Sequence, residues 1–282
     1  MEIKASLFYL EIDKELSQLG FGQMATSSNL FPIWHHVGSD LYVQAISIFH
    51  FSNYKNQISA TFWQEMILNA RQLYTNYLCI WEDKWIKNSR FIQDYFKFCI
   101  QGNFSVFARD LKTTIIPENL AAEFLDGTHI LGFSKGKTYL GLYVPPHRQF
   151  RGIQSPYHWE GNPLIGVAVF GKILHMKDEA YHGQVSAELV RFASLPGTRI
   201  VGGITKALAF YQKAFHIDNV MTYVDMEWNS GQGFLGIGFK LESLTNPLLF
   251  KIDSSLNRNL VQNWEDANVC NAGNWKLRYE LK

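Results

Sequence analysis

A chain of 282 residues can bury one large core or two smaller ones, and 47% hydrophobic against 18% charged residues describes a folded globular protein, not a disordered or fibrous one. The formal net charge of +1 gives no global electrostatic reason to expect a nucleic-acid or membrane partner, although a balanced total can conceal a local basic face. Cys79, Cys99 and Cys270 show neither CxxC nor Cys/His ligand spacing, so they are expected as free thiols in a reducing, cytoplasmic setting with no metal site.

The first twenty residues intersperse Glu11, Asp13 and Glu15 with apolar ones, which fits neither a signal peptide nor a membrane span. "DLYVQAISIFHF" (40–51) reads as a strand, and "SATFWQEMILNARQLY" (59–74) as a helix capped by Ser59 or Thr61. "YLCIW" is a short strand, followed by the amphipathic helix "WIKNSRFIQDYFKFCI". That helix ends at Gly102, which sets the expected boundary between an N-terminal α/β domain, 1–102, and a second domain, 103–282.

In the second part, "FSVFARD" reads as a strand, and "PENLAAEFLDG" as a helix entered by Pro117 and left at Gly127. "TYLGLYV" (138–144) and the nearly all-apolar "PLIGVAVFGKI" (163–173) are further strands, the latter central. "SAELVRFA" (186–193) alternates, with Glu188, Val190 and Phe192 on one face and Leu189, Arg191 and Ala193 on the other. The helix "GITKALAFYQKAF" sets Ile204, Ala207, Leu208, Tyr211 and Phe215 on one side, and "NVMTYVD" (219–225) is the next strand. A small helix at "GQGFLGI" and a run "GFKLESL" follow. The order predicts an α/β (α+β) fold: a mixed twisted sheet with flanking helices.

Chemistry concentrates at "RFASLPGTRIVGGITKALAFYQKAF" (191–215), where a strand runs into Arg199, Gly202 and Gly203 at the mouth of a helix. Glycines admit close approach of backbone amides, and a helix N-terminus offers unpaired N–H groups with a positive dipole end. Thr205 and Lys206 add a hydroxyl and a cation, and Arg199 can fork onto phosphate. The plainer alternative is a glycine pair that only ends a loop and caps a helix.

Residues 103 to about 245 resemble the GCN5-related N-acetyltransferase (GNAT) superfamily, whose signature is Arg/Gln-x-x-Gly-x-Gly/Ala between the fourth strand and third helix. "RIVGGI" keeps Arg199 and Gly202 but has Ile204 where a second small residue is usual, and "FLGIGF" (234–239) carries Phe234 at the position of the family's frequent tyrosine acid. "LVRFAS", "VGG", "YVDMEWNSG" and "NAGNWK" are similar to a phage and mobile-element branch that includes DNA-adenine-modifying proteins. The resemblance implies a GNAT-type acyl-CoA N-acyltransferase using acetyl-CoA or another acyl-CoA, with an amine acceptor that could be a nucleobase or nucleic acid.

It also implies the site residues. Phe192, Ser194, Arg199, Val201, Gly202, Gly203, Ile204, Thr205 and Lys206 would hold the coenzyme, with the pantetheine arm between splayed fourth and fifth strands near Phe192 to Ser194 and Tyr223 to Asp225. Glu188 would act as general base through water, or else lies on a solvated edge or pairs with Arg191. Asp225 would orient the acceptor, or else caps the following turn. With Phe234 lacking a hydroxyl, the leaving thiolate would take its proton from water, Tyr223 or Ser230. His129, Arg191 and Trp228 are candidate acceptor contacts, with a structural role the alternative for His129. The aromatic stretch 145–162, with Arg148 and Arg151, reads as a substrate lid or an ordinary hairpin loop.

In the N-terminal part, "YLCIWEDKWIKNSRFIQDY" resembles the tail of very-short-patch-repair and homing endonucleases over about 25 residues. Such chemistry needs converging carboxylates, and upstream only Asp40 is available, with Gln44 where a second would help. A structural remnant or a nucleic-acid-binding element is the alternative. At the level of the whole chain, the alternative to catalysis is a DNA-binding or nuclease-related protein whose acyltransferase fold is degenerate.

Overall fold

The computed structural model describes residues 2–25, 30–102, 104–150, 152–177 and 179–281, with side chains described from residue 7 onward. The chain divides into two compact units. The first takes Met1–Ile100 together with Val224–Gly233 and Ser243–Trp275, and the second takes Gln101–Tyr223, Phe234–Glu242 and Lys276–Lys282. The expected second domain, 103–282, is therefore not continuous. Met226, Val269, Cys270 and Ala272 are buried with Phe31, Phe51, Trp63 and Trp81, and this apolar contact draws the later segments into the first unit.

The first unit opens with α1 (Glu2–Gln18), β1 (Gly22–Gln23), β2 (Ile33–His36), β3 (Leu41–Ile46) and α2 (Ile48–Tyr54). α3 (Ala60–Leu73), β4 (Asn76–Trp81) and α4 (Glu82–Gln101) follow, and the sheet runs β1-β2-β3-β4 with β3 and β4 parallel. The strand expected over 40–51 ends at Ile46. Ile48 N–H donates to Glu82 Oε2 at 2.9 Å, so a carboxylate satisfies a first-turn amide and the apolar 48–51 run coils into α2 with Phe51 buried. Ser59 caps α3, its Oγ accepting from Phe62 N at 3.0 Å. α4 is kinked at Asn88, which has φ −131.

The second unit continues with β5 (Phe104–Phe107), β6 (Lys112–Ile115), α5 (Glu118–Thr128), β7 (Thr138–Tyr143), β8 (His158–Trp159), β9 (Asn162–Phe170) and β10 (Leu174–His175). Pro117 is the N-cap of α5, one residue outside the expected first turn. Then come β11 (Val185–Ser194), β12 (Thr198–Val201), α6 (Gly203–Phe215), β13 (Asn219–Asp225), α7 (Gln232–Leu235) and β14 (Lys240–Leu244). β15 (Leu249–Ile252), β16 (Arg258–Val261) and β17 (Val269–Cys270) form a small sheet, and β18 (Asn274–Glu280) closes the chain.

The main sheet runs β14-β18-β13-β11-β9-β7-β6. β7, β9 and β11 pair antiparallel, whereas β11 and β13 are parallel and joined through α6. This is the mixed α+β fold expected: a mixed sheet with flanking helices. β9 is central because Leu164 to Phe170 are all buried. α6 packs through Ala207, Leu208 and Tyr211, the last stacked on Phe170 with centroids 3.9 Å apart.

Candidate functional site

The turn between β12 and α6 is built by two glycines with different tasks. Gly202 is the N-cap of α6 in the left-handed region, φ 77, where a side chain is strained. Gly203 is a packing residue, because a Cβ there would sit 2.8 Å from Phe192 Cζ and 2.9 Å from Ile200 Cγ2. That contact seats the helix start against the end of β11. The first helical bond is Lys206 N–H to Gly202 O at 2.9 Å, and the N–H groups of Gly202, Gly203, Ile204 and Thr205 find no acceptor among the described residues. Arg199 and Thr205 are exposed, Val201 is 37% exposed, and no described residue pairs with the Arg199 guanidinium. Lys206 departs from expectation. Its Nζ donates to Ala108 O at 2.8 Å and Leu111 O at 2.6 Å, so the ammonium closes off the preceding loop. Ser194 is also engaged, its Oγ donating to Thr198 O at 2.7 Å.

β11 and β13 diverge beside this turn. Their parallel register covers only Ser186, Ala187 and Glu188 against Asn219, Val220 and Met221. Beyond it one link remains among the described residues, Thr222 Oγ1 to Leu189 O at 2.8 Å. On the other edge β11 is bulged, since Leu189 faces Phe170 and Arg191 faces Val169, leaving Val190 extra. The bulge corrects the simple alternation expected for 186–193: residues before and after Val190 no longer keep one phase.

Glu188 sits on the bulged strand, half-buried. Burial raises its carboxyl above the ordinary value, with the Arg191 charge pulling the other way. Arg191 folds back on its own strand, Nη1 donating to Val190 O at 2.9 Å while its buried Nε finds no partner among the described residues. Tyr223 is 40% exposed on β13. Phe234 packs edge-on to Phe239, centroids 5.3 Å apart, and has no hydroxyl to offer.

Asp225 belongs to a turn in the first unit. Its Oδ1 accepts from Glu227 N at 2.8 Å and its carbonyl from Trp228 N and Asn229 N, which is the capping alternative. Trp228 packs against Tyr95, centroids 6.0 Å apart. His129 is the C-cap residue of α5, and its Nδ1 accepts from Leu131 N at 3.1 Å. In the 145–162 stretch, Ser155 Oγ donates to Leu164 O at 2.5 Å, Tyr157 packs 5.0 Å from Phe124 and Arg148 meets Asp110 at 3.1 Å; these contacts pin the loop, and Arg151 lies outside the described residues.

The acid that sequence reasoning passed over in "YVDMEWNSG" is Glu227, 2% exposed. Its Oε1 accepts from the indoles of Trp63 and Trp81, each at 3.0 Å, and its carbonyl accepts from Cys79 N at 2.9 Å. Burial, then the neighbouring Asp225 charge, push its carboxyl up to about 7. Arg71 reaches the same segment, Nε donating to Met226 O at 2.6 Å. Only its place in an acidic turn motif hinted at this, since Trp63 and Trp81 lie far away in sequence.

The endonuclease-like constellation does not assemble. Asp40 pairs with His35 at 3.1 Å in a turn, while Gln44 is buried, donating to Phe31 O and accepting from Tyr77 Oη. Among the described residues no group of three or more His, Cys, Asp or Glu is placed to hold a metal, and no helix is long and apolar enough to cross a membrane.

No family model and no curated protein matches the chain. Among solved structures, the chain is similar to the NatC complex bound to Gag peptide and CoA, at 12% identity and TM-score 0.35, covering 61% of this chain and 99% of that one. It is also similar to a Bacillus subtilis acetyltransferase in complex with CoA, at 14% identity and TM-score 0.30, again over 61% and 99%. A third likeness is to a histone acetyltransferase HPA2 and related acetyltransferase from Corynebacterium glutamicum, at 8% identity and TM-score 0.26, over 70% and 81%.

Proposed function

We propose that the second unit is a GNAT-type N-acyltransferase that takes its acyl group from acetyl-CoA or another acyl-CoA and delivers it to an amine. One observation carries this reading: among the described residues, four consecutive N–H groups, Gly202 to Thr205, have no acceptor at the start of α6, and the exposed Arg199 of the preceding strand has no partner. Amides at a helix start with an adjacent fork of donors suit a diphosphate. The ladder between β11 and β13 ends at Glu188 and Met221, and past the Thr222–Leu189 link no further pairing of the two strands occurs among the described residues, where a pantetheine arm can add its own amides.

The coenzyme would supply a thioester carbonyl. Glu188, raised by burial, is the group suited to accept a proton from the amine through water, and its half-burial keeps it within reach of solvent. As the new C–N bond forms and the C–S bond breaks, the departing sulfur needs a proton, and the exposed phenol of Tyr223 takes the role that Phe234 cannot. Asp225 and Lys206 act structurally, one shaping a turn and the other anchoring a loop. The acceptor includes nucleobase amines as a candidate class, supported by the likeness of "LVRFAS" and "YVDMEWNSG" to the phage branch.

Isothermal titration of the folded protein with acetyl-CoA tests the donor site. Binding is expected, weakened roughly 10-fold or more by Arg199→Ala through loss of a charged hydrogen bond. No heat at millimolar donor overturns the reading. Mass spectrometry of nucleosides and of an amine panel after incubation identifies the acceptor.

A further inference from the structure

The first unit contains a pocket of about 530 Å³ whose walls include Tyr9, Leu10, Asp13, Gln23, Trp34 and His50. The volume lies within the range of small-molecule sites. Among the described lining residues the one carboxylate is Asp13, and none is a lysine or arginine. The carboxylate is fixed in place: Trp34, 1% exposed, donates its indole N–H to Asp13 Oδ1 at 2.7 Å. No described residue donates a hydrogen bond to Oδ2. The aromatic walls are equally set. Tyr9 packs on His50 with centroids 5.2 Å apart, and its hydroxyl accepts from Ser47 N at 3.2 Å.

The geometry points to a second binding site, for a small organic amine: an ammonium on Asp13 Oδ2, with its apolar body against Tyr9 and Leu10. Charge complementarity selects a cation, since one oriented carboxylate lines the pocket and, among its described walls, only the imidazole of His50 could carry a competing positive charge. Aromatic walls favour an organic cation over a metal, because rings attract alkylammonium groups whereas hard metals need several oxygen ligands. The site stands independently of the acyltransferase reading, since none of its residues belongs to that unit.

The test compares phenethylamine with its uncharged isostere, phenethyl alcohol, on the full chain, by titration calorimetry and by the NMR shift of the Trp34 indole proton, assigned with Trp34→Phe. The amine is expected to bind at submillimolar concentration and at least 10-fold more tightly than the alcohol, the scale of a charge-assisted hydrogen bond. Asp13→Asn, which keeps an oxygen for the indole but loses the charge, is expected to bring the two ligands within about 2-fold of each other. Equal affinity of the native protein for amine and alcohol, no binding at millimolar amine, or an undiminished amine preference in Asp13→Asn overturns the proposal. The comparison on the native chain decides it even if the variant fails to fold.

Discussion

Glu227 is a buried carboxylate held by two indoles, those of Trp63 and Trp81. Replacing it with Ala leaves two buried N–H donors unpaired, and Glu227→Ala is expected to cost about 2–6 kcal/mol at one to three per orphaned group, read from urea unfolding. Its pH signature has a definite sign. Burial, then the Asp225 charge, push the folded carboxyl up to about 7, above the ordinary glutamate value, so the folded state holds the proton more tightly. That stabilising contribution is complete below about pH 4.5 and is lost as pH rises to about 7. Relative to Glu227→Gln, the native protein should therefore lose stability across that window. A difference between the two that stays flat with pH would refute the assignment. At the other site, Gly203→Ala would thrust a methyl to 2.8 Å from Phe192, so a marked fall in melting temperature is expected, whereas Arg199→Ala should leave stability within about 0.5 kcal/mol.

Between elements, the crossing of β11, β13, β14 and β18 depends on Arg278. Its guanidinium is 3% exposed, bonds Glu242 through Nε and Nη2 at 3.2 and 3.0 Å, reaches Asn219 Oδ1 at 2.5 Å and lies 4.2 Å from the Tyr181 ring centroid. Removing one partner of a buried pair typically costs about 3–5 kcal/mol, so Arg278→Ala should destabilise by that much in chemical denaturation, and Glu242→Gln by less. How these elements were legible from sequence differs case by case. The Ser59 cap and the apolar stripe of α6 were readable because caps and helical periodicity are local. The switch from β3 to α2 was not, because a carboxylate at Glu82 supplies the signal from beyond the next helix. Nor was the β11 bulge, since alternation in sequence assumes a uniform register. The Gly202 turn was legible as a motif, while the diversion of Lys206 to Ala108 and Leu111 depended on a loop nearly a hundred residues earlier.

For the whole molecule, each unit draws on separated stretches of chain. A fragment ending at Ile100 keeps Trp63 and Trp81 but lacks Glu227, Met226, Val269 and Cys270, so it is expected to show broadened amide NMR signals and no cooperative melting. A sharp melt from that fragment would show the later segments to be dispensable. The same arrangement has a consequence during synthesis. The ribosome delivers Trp63 and Trp81 long before residues 224–275, an interval of roughly 7–40 s at ordinary elongation rates. Through that wait the nascent polypeptide displays sticky indole surface with its partners still untranslated, which makes it a natural client for chaperones that shield emerging chains.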